Sequence, residues 1–330
     1  MSALRSNAII GLFLFLTFNS FCQNKDNLSF FTPAEKLDNK RLQVVVGTAA
    51  FSYTGLSIAL YHAWYKKYPS SSFHFFNDWG EWNNVDKAGH IFSSHMQASL
   101  LYKSAKWTGL NESKSILWAS VLSGVSMTTV ELMDAFSNQW GFSVYDSGAN
   151  LMGIGLFVTQ QIAWREQRIV MKVSGWPNDY NGMYSKSQIN SISKLDFVAR
   201  NENLYGSHLA EQVLKDYNSQ TIWLSANLKS FFPQSPFPSW LNIAAGYGAE
   251  NMLGGYYNKW STSDQQITIN PEVFPRYQQF YLALDVDFSR IKIQSPFLKT
   301  VLSVLNVLKA PTPAIELNSL GEVQFHLIFL

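Results

Sequence analysis

Between Val44 and Tyr65 the chain runs 22 residues without an aspartate, glutamate, lysine or arginine, and then meets Lys66 and Lys67. No other feature constrains the fold as tightly. A helix of that length is long enough to cross a bilayer. The same run equally suits a central helix buried on all sides by its neighbours. The mean hydropathy of −0.06 is too polar for a chain made mostly of spans, so the run belongs to a mixed protein.

Three further helices follow in the spacing, from near Asp86 to Trp107, from Ser113 to about Phe136, and from Asp146 to about Arg168. They read as helices that cover one another. Beyond about Ile192 the apolar residues alternate instead, the mark of strands. In "QFYLALDVDF", Phe280, Leu282, Leu284, Val286 and Phe288 share one face, and Tyr281, Ala283, Asp285 and Asp287 the other. The phase then flips at Ile291 and Ile293, which predicts a bulge near Ser289. "EVQFHLIF" repeats the alternation, "TIWLSANL" and "WLNIAAGYG" are weaker examples, and "FLKTVLSVLNVLK" has helical spacing between strands. An outer-membrane barrel needs at least eight strands of about ten residues, against four or five convincing ones here. A sheet packed on helices is therefore expected.

These patterns predict an α+β protein. Residues 1–22 form an export signal, with Arg5 before an apolar stretch from Ala8 to Phe18 and cleavage before Gln23. The rival is a lipoprotein acylated on Cys22, the one cysteine, with bulky Phe21 in place of a small residue. Residues 23–40 form an N-terminal segment and 41–173 a bundle of about four helices. The turn-rich stretch 174–191 reads as a linker, and 192–330 as a β-rich region with an inserted helix. The mature chain, cut after Cys22, has no thiol for disulfides, thiolate metal sites or nucleophilic cysteine chemistry. A net charge of +2, from 25 basic and 23 acidic residues, favours neither nucleic acid nor an anionic membrane surface, and no nucleic-acid partner is expected.

Charged residues are 15% of the chain, yet they cluster where the helices begin and end. Asp86 and His90 lie four apart, on one helix face, with Lys87 beside them and His95 a little over a turn beyond. Glu131 and Asp134 lie three apart near the end of the third helix. Ser143 or Asp146 can cap the fourth, Asn150 follows Asp146 by four, and Gly153 permits close helix approach. An unpaired carboxylate in an apolar bundle costs several kcal/mol, so Asp86, Lys87, His90, Glu131, Asp134, Ser143, Asp146 and Asn150 are expected to satisfy one another. As a ligand set, His90, Glu131, Asp134 and Asp146 suit a hard divalent ion. As a catalytic set, His90 with Asp86, Glu131 and Asp146 suits acid–base chemistry. The plainer alternative is a structural network of caps and a satisfied histidine. No H-E-x-x-H, G-x-S-x-G, phosphate loop or dinucleotide fingerprint is present.

"DKAGH", Glu131 with Asp134, and "GFSVYDSGANLMG" together resemble the YfiM-like family of predicted periplasmic lipoproteins, as do "KDYNSQTIWLSAN", "WLNIAAGYGAENM" and "FYLALDVDFSRIK" further on. The helical half is also similar to the VanZ-like membrane proteins, whose pattern is D-K-x-x-H, E-x-x-Q and S-x-x-D-x-x-x-N-x-x-G. Asp86, Lys87, His90, Glu131, Ser143, Asp146, Asn150 and Gly153 stand at matching positions, and Asp134 replaces the glutamine. The resemblance implies a bacterial envelope protein of the periplasm or its membranes. It assigns no reaction. The expected role is a structural or binding component meeting a lipid, glycan or protein partner and associated with a membrane. The alternative is a metal-assisted or histidine-dependent hydrolase or transferase acting on an envelope lipid or wall precursor.

Overall fold

The computed structural model describes residues 30–187, 189, 192–262 and 265–329. The expected export signal and Cys22 lie outside them. The fold is α+β.

The uncharged run forms α1 (Asn39–Leu60), continued by a π turn over Tyr61–Tyr65 and capped by Asp38, whose carboxylate accepts from the amides of Lys40 and Arg41. Of the two readings the run allows, burial by neighbouring helices is not what the fold provides. Arg41 is the one buried residue of α1, while Phe51, Leu56 and Ile58 stand exposed. The helix is tied at its ends and once between. Arg41 donates to the Trp107 carbonyl at 3.1 Å, Tyr53 bonds Thr129 at 2.7 Å, and Tyr65 donates to Asp134 at 2.7 Å.

The bundle proper is α2 (Val85–Trp107), α3 (Glu112–Ala135) and α4 (Val144–Trp164), with α2 packed against both others. Asn111 and Ser143 cap α3 and α4 through their side chains. Small residues bring α2 and α4 together: a Cβ on Gly153 would lie 2.1 Å from Ser94 Oγ and 2.2 Å from the Ile91 carbonyl oxygen. The outward faces of α3 and α4 are apolar and exposed, with Leu117, Trp118, Val125, Leu151 and Met152 prominent.

The chain then enters β1 (Ile169–Ser174) and a small helical cluster of α5 (Tyr180–Lys186), α6 (Lys194–Tyr205) and α7 (Leu209–Lys215). The turn-forming composition of 174–191 suggests a linker, but Tyr180, Ile189 and Ile192 join Phe197 and Tyr205 in a buried core. Alternation from Ile192 likewise overlooks α6, where Phe197, Asn201 and Tyr205 recur every four residues on a buried face and Ser193 caps the first turn.

Next come β2 (Thr221–Asn227), the short α8 (Leu228–Phe231), β3 (Leu241–Glu250), a hairpin of β4 (Lys259–Ser261) and β5 (Gln266–Thr268), and β6 (Tyr277–Val286). The inserted helix α9 (Pro296–Leu305) precedes β7 (Thr312–Asn318) and β8 (Val323–Phe329). One antiparallel sheet has the order β1-β2-β3-β6-β7-β8. The phase flip near Ser289 is a 3₁₀ turn over Phe288–Arg290 capped by Asp287, not a bulge; the register shift lies instead between β7 and β8 near Thr312. The free edge of β1 is covered by a distant segment, since Val173 exchanges backbone bonds with Val307 and Lys309.

The faces of this sheet are inverted relative to a soluble protein. Phe280, Leu282 and Leu284 of β6 are about half exposed, as are Ile315 and Leu317 of β7, and Phe325 and Leu327 are more so. The opposite face is buried and largely polar. Lys172 Nζ meets Asp285 at 2.8 Å, Ser225 donates to Asp285 at 2.6 Å, Asn242 donates to Ser225 at 2.8 Å, and Gln279 donates to Glu316 at 2.9 Å. Trp223, Tyr281 and Phe329 fill the space between them.

Candidate functional site

The polar residues of α2, α3 and α4 meet at one end of the bundle, beneath the segment that links α1 to α2. Bonds from His74 to the Ala135 carbonyl and from Phe76 to the Phe142 carbonyl lay this segment across the helix ends and deliver Asp78. Three consecutive residues before α2, Trp82, Asn83 and Asn84, take left-handed backbone angles (φ 51°, 50° and 61°). Such conformations cost on the order of 1–3 kcal/mol each and persist only where the surroundings enforce them. Here the Trp82 amide donates to the Gly255 carbonyl at 2.7 Å, the Tyr247 hydroxyl bonds the Asn83 carbonyl, and the Gly80 amide is held by Asn84 Oδ1. Gly255 lets the Glu81 side chain approach closely, since a Cβ there would lie 2.2 Å from Glu81 Oε1.

Lys87 sits at the centre. Its ammonium lies 2.6 Å from Asp78, 2.7 Å from Asp146 and 3.1 Å from Asp86. Ser143, while capping α4, donates to Asp78 Oδ1 at 2.6 Å. His90, with 13% of its side chain exposed, places Nδ1 at 3.0 Å from Asn150 Oδ1, and Asn150 Nδ2 donates to Glu131 at 3.3 Å. The other nitrogen, Nε2, lies 3.8 Å from both Asp86 and Asp146. Glu131 Oε2 is buried without a hydrogen-bond partner. Asp134 turns to Tyr65, and Tyr217 donates to Asp86 at 2.9 Å. His95 is buried further along α2, where the backbone of Gly153 bonds it, and takes no part in the cluster.

The aspartates are shifted in opposite directions. Burial, the Asp86 charge and a hydrogen bond to Asp78 push Asp146 up to about 9. Burial also works against ionised Asp78, but bonds from Asp146, Lys87 and Ser143 hold it below the usual carboxylate range. Asp86 is likewise lowered, because the charges of His90 and Lys87 outweigh its burial. Burial opposes the Lys87 charge, yet Asp86 and Asp146 more than compensate and raise it. Nearby Glu81 is pushed up to about 7 by burial and by Asp86.

All eight sequence-derived residues therefore converge on one end of the bundle, with Asp134 engaged by α1 rather than by the others. Asp78, Tyr217, Tyr65 and Glu81 were not legible. Asp78 lies in an aromatic loop without periodicity, and Tyr217 follows α7, far away in sequence. Asp86, His90 and Asp146 can bring one ligand atom each within 4.8 Å of one another, as a metal site needs. Lys87 already supplies a cation at hydrogen-bond distance from two of these residues, so a metal ion there must displace it. His90 lines neither the groove between α1 and α3 nor the cavity beyond the end of α1.

Residues 74–161, which hold every helix-borne member of this cluster, match the model of a family described as predicted periplasmic lipoprotein (DUF2279). The match covers about a quarter of the chain and agrees with an exported, periplasmic or envelope-associated protein. No curated protein and no solved structure matches the chain.

Proposed function

We propose that the protein is a membrane-inserted, non-enzymatic binding component of the bacterial envelope. The observation that carries this reading is α1. With its π turn it is 27 residues long, and the protein buries none of its most apolar window. A helix apolar on all sides needs either a protein core or hydrocarbon around it, and this one has no core. The inverted sheet supports the same reading, because apolar-out and polar-in is the arrangement of strands that face lipid. α3 is also long and apolar enough to cross. The likeness of Asp86, Lys87, His90 and Asp146 to the VanZ-like pattern supports a membrane setting as well.

The polar cluster is then a clasp. It joins the helix ends around Lys87 and holds α1 through Tyr65 and Asp134. The test of insertion is alkaline carbonate extraction of envelope membranes from cells making the full chain. Retention in the pellet is expected, and complete release into the soluble fraction would sink the reading.

A second reading has one observation in its favour: the unpartnered Glu131 Oε2 close to His90, a geometry usable for metal binding or proton transfer. Thermal unfolding of the detergent-solubilised protein and its His90→Ala variant, with Mn²⁺, Zn²⁺, Mg²⁺ or Ca²⁺, separates the two. A metal-dependent rise in midpoint that the variant lacks would favour the second reading.

A further inference from the structure

Beside the clasp lie two neighbouring cavities. The first, about 320 Å³, is a groove between α1 and α3 lined by Tyr61, Tyr65, Leu132, Met133 and Phe136. The second, about 160 Å³, lies beyond the end of α1 and is lined by Trp64, Trp82 and Trp140 together with Lys67, Arg200 and Lys215. Tyr68 lines both. Trp140 packs edge-on against Tyr65 and Tyr68, at 5.5 and 5.1 Å, and so stiffens the junction.

The second cavity is short of negative charge. Among the described residues no carboxylate lies within 4.0 Å of Arg200 or Lys67. Arg200 Nε donates to the Leu253 carbonyl and its guanidinium stacks over Trp260, while Lys67 donates to the Asn203 carbonyl at 3.3 Å. Lys215 has Glu211 at 3.2 Å and the Ala63 carbonyl at 2.7 Å. The one carboxyl lining the cavity is Glu81, half-neutral near neutral pH. Two cations held by carbonyls and rings, in a partly enclosed aromatic cavity, keep donors for an anion. The groove next to it has an apolar side at Leu132, Met133 and Phe136 and a polar one at Ser70, Thr129 and Ser137, and it lies against α1, whose apolar window the protein leaves uncovered.

We propose that these two neighbouring cavities bind one anionic phospholipid, its phosphate headgroup among Lys67, Arg200 and Lys215 and an acyl chain in the groove between α1 and α3. The site rests on the membrane reading of α1. The charge fits because, among the described residues, Lys67 and Arg200 have no carboxylate partner, Lys215 is shared with Glu211, and Glu81 is the one carboxyl lining the cavity. The depth fits because Trp64, Tyr65, Tyr68 and Trp140 sit where a helix leaves hydrocarbon, the level at which amphipathic aromatic rings and headgroups lie together. The shape fits because the polar and apolar compartments meet at a single residue.

The experiment uses the full chain in a neutral detergent. Dihexanoyl phosphatidylglycerol, dihexanoyl phosphatidylcholine and inorganic phosphate are titrated separately while thermal unfolding is followed. Phosphatidylglycerol is expected to raise the midpoint saturably, and the other two to have little effect. Arg200→Gln is expected to weaken the phosphatidylglycerol response about tenfold, the loss of one charge-assisted contact. Leu132→Trp, which fills the groove, should abolish it while leaving the lipid-free midpoint near that of the parent, because Leu132 is exposed.

An equal shift from inorganic phosphate would overturn the lipid in favour of a free-anion site. Equal shifts from both lipids, or none from any probe, would overturn the site altogether. Carbonate extraction of the same proteins keeps the two readings apart. Retention without a phosphatidylglycerol response defeats the site alone, and release with a response defeats insertion alone.

Discussion

Lys172 on β1 and Asp285 on β6 meet at 2.8 Å with neither side chain exposed, although β2 and β3 separate their strands in the sheet. The pair spans the inside of a strongly curled sheet. Ser225 and the Ala310 amide complete the shell of Asp285, and the Val286 carbonyl takes a further bond from Lys172.

Removing one member should therefore cost more than the pair is worth. Lys172→Met or Asp285→Leu alone strands a buried charge and is expected to destabilise by about 3–5 kcal/mol. The double variant should recover most of that loss. Urea unfolding in detergent measures it, and a double variant as weak as the sum of the singles would refute the pairing.

The clasp at the helix ends gives a similar test with a different geometry. Lys87→Met leaves Asp78, Asp86 and Asp146 around an empty centre and should cost at least about 3 kcal/mol. His90→Ala should cost less, since it removes the bond to Asn150 and a partner of Asp86 but leaves the three close Lys87 contacts in place. If thermal unfolding ranks the two the other way, Lys87 is not the organising cation.

Gly153→Ala should be poorly tolerated for so small a change. The added methyl meets the Ile91 carbonyl, a backbone atom that cannot step aside, so α2 and α4 must separate. A loss of about 1–3 kcal/mol or more is expected. Gly155→Ala two residues on, where nothing lies within 4 Å, should be neutral or slightly stabilising and serves as the control.

Glu81 predicts a pH dependence whose sign is fixed by its raised pKa. The folded protein holds this proton up to about 7 and the unfolded chain releases it near 4.5, so stability is lost as pH rises through that window. The loss is on the order of 1–3 kcal/mol. Comparing unfolding midpoints at pH 5 and pH 8, Glu81→Gln should show a smaller drop than the parent. An identical drop would assign the effect elsewhere.

In α1, Leu56 is exposed and touches no core, so Leu56→Arg should fold normally in detergent. A charge at the centre of a span costs about 2.5–3.5 kcal/mol on insertion. The variant should be released by carbonate more readily than the parent, with an unchanged unfolding midpoint.

The clasp was readable because ionisable residues interrupted apolar helices at three- and four-residue spacing, as Asp86 with His90 and Asp146 with Asn150 do. Asp78 was not, since a loop has no period and its role depends on where Phe76 and His74 pin the backbone. The two faces of β6 were readable too, but alternation records only that the faces differ. It does not say which medium lies on which side, and Leu282 points outward while Asp285 is wholly buried. For α6, the cap Ser193 and the spacing of Phe197, Asn201 and Tyr205 carried a helical signal that the turn-rich neighbourhood masked. The left-handed run at Trp82, Asn83 and Asn84 had no signal at all, being imposed by Tyr247 and Gly255 from distant parts of the chain.

The covering of β1 by residues around Val307 and Lys309 sets an order of assembly. β1 is made at mid-chain, residues 169–174 of 330, and its outer edge waits for a segment at residues 307–309. Until then the outer edge at Val173 has no native partner, while Lys172 waits for Asp285 on β6. Non-local closure of this kind is slow, and an unpaired strand edge recruits other chains. The outer edge of β1 stays open to such pairing until residues 307–309 have been made.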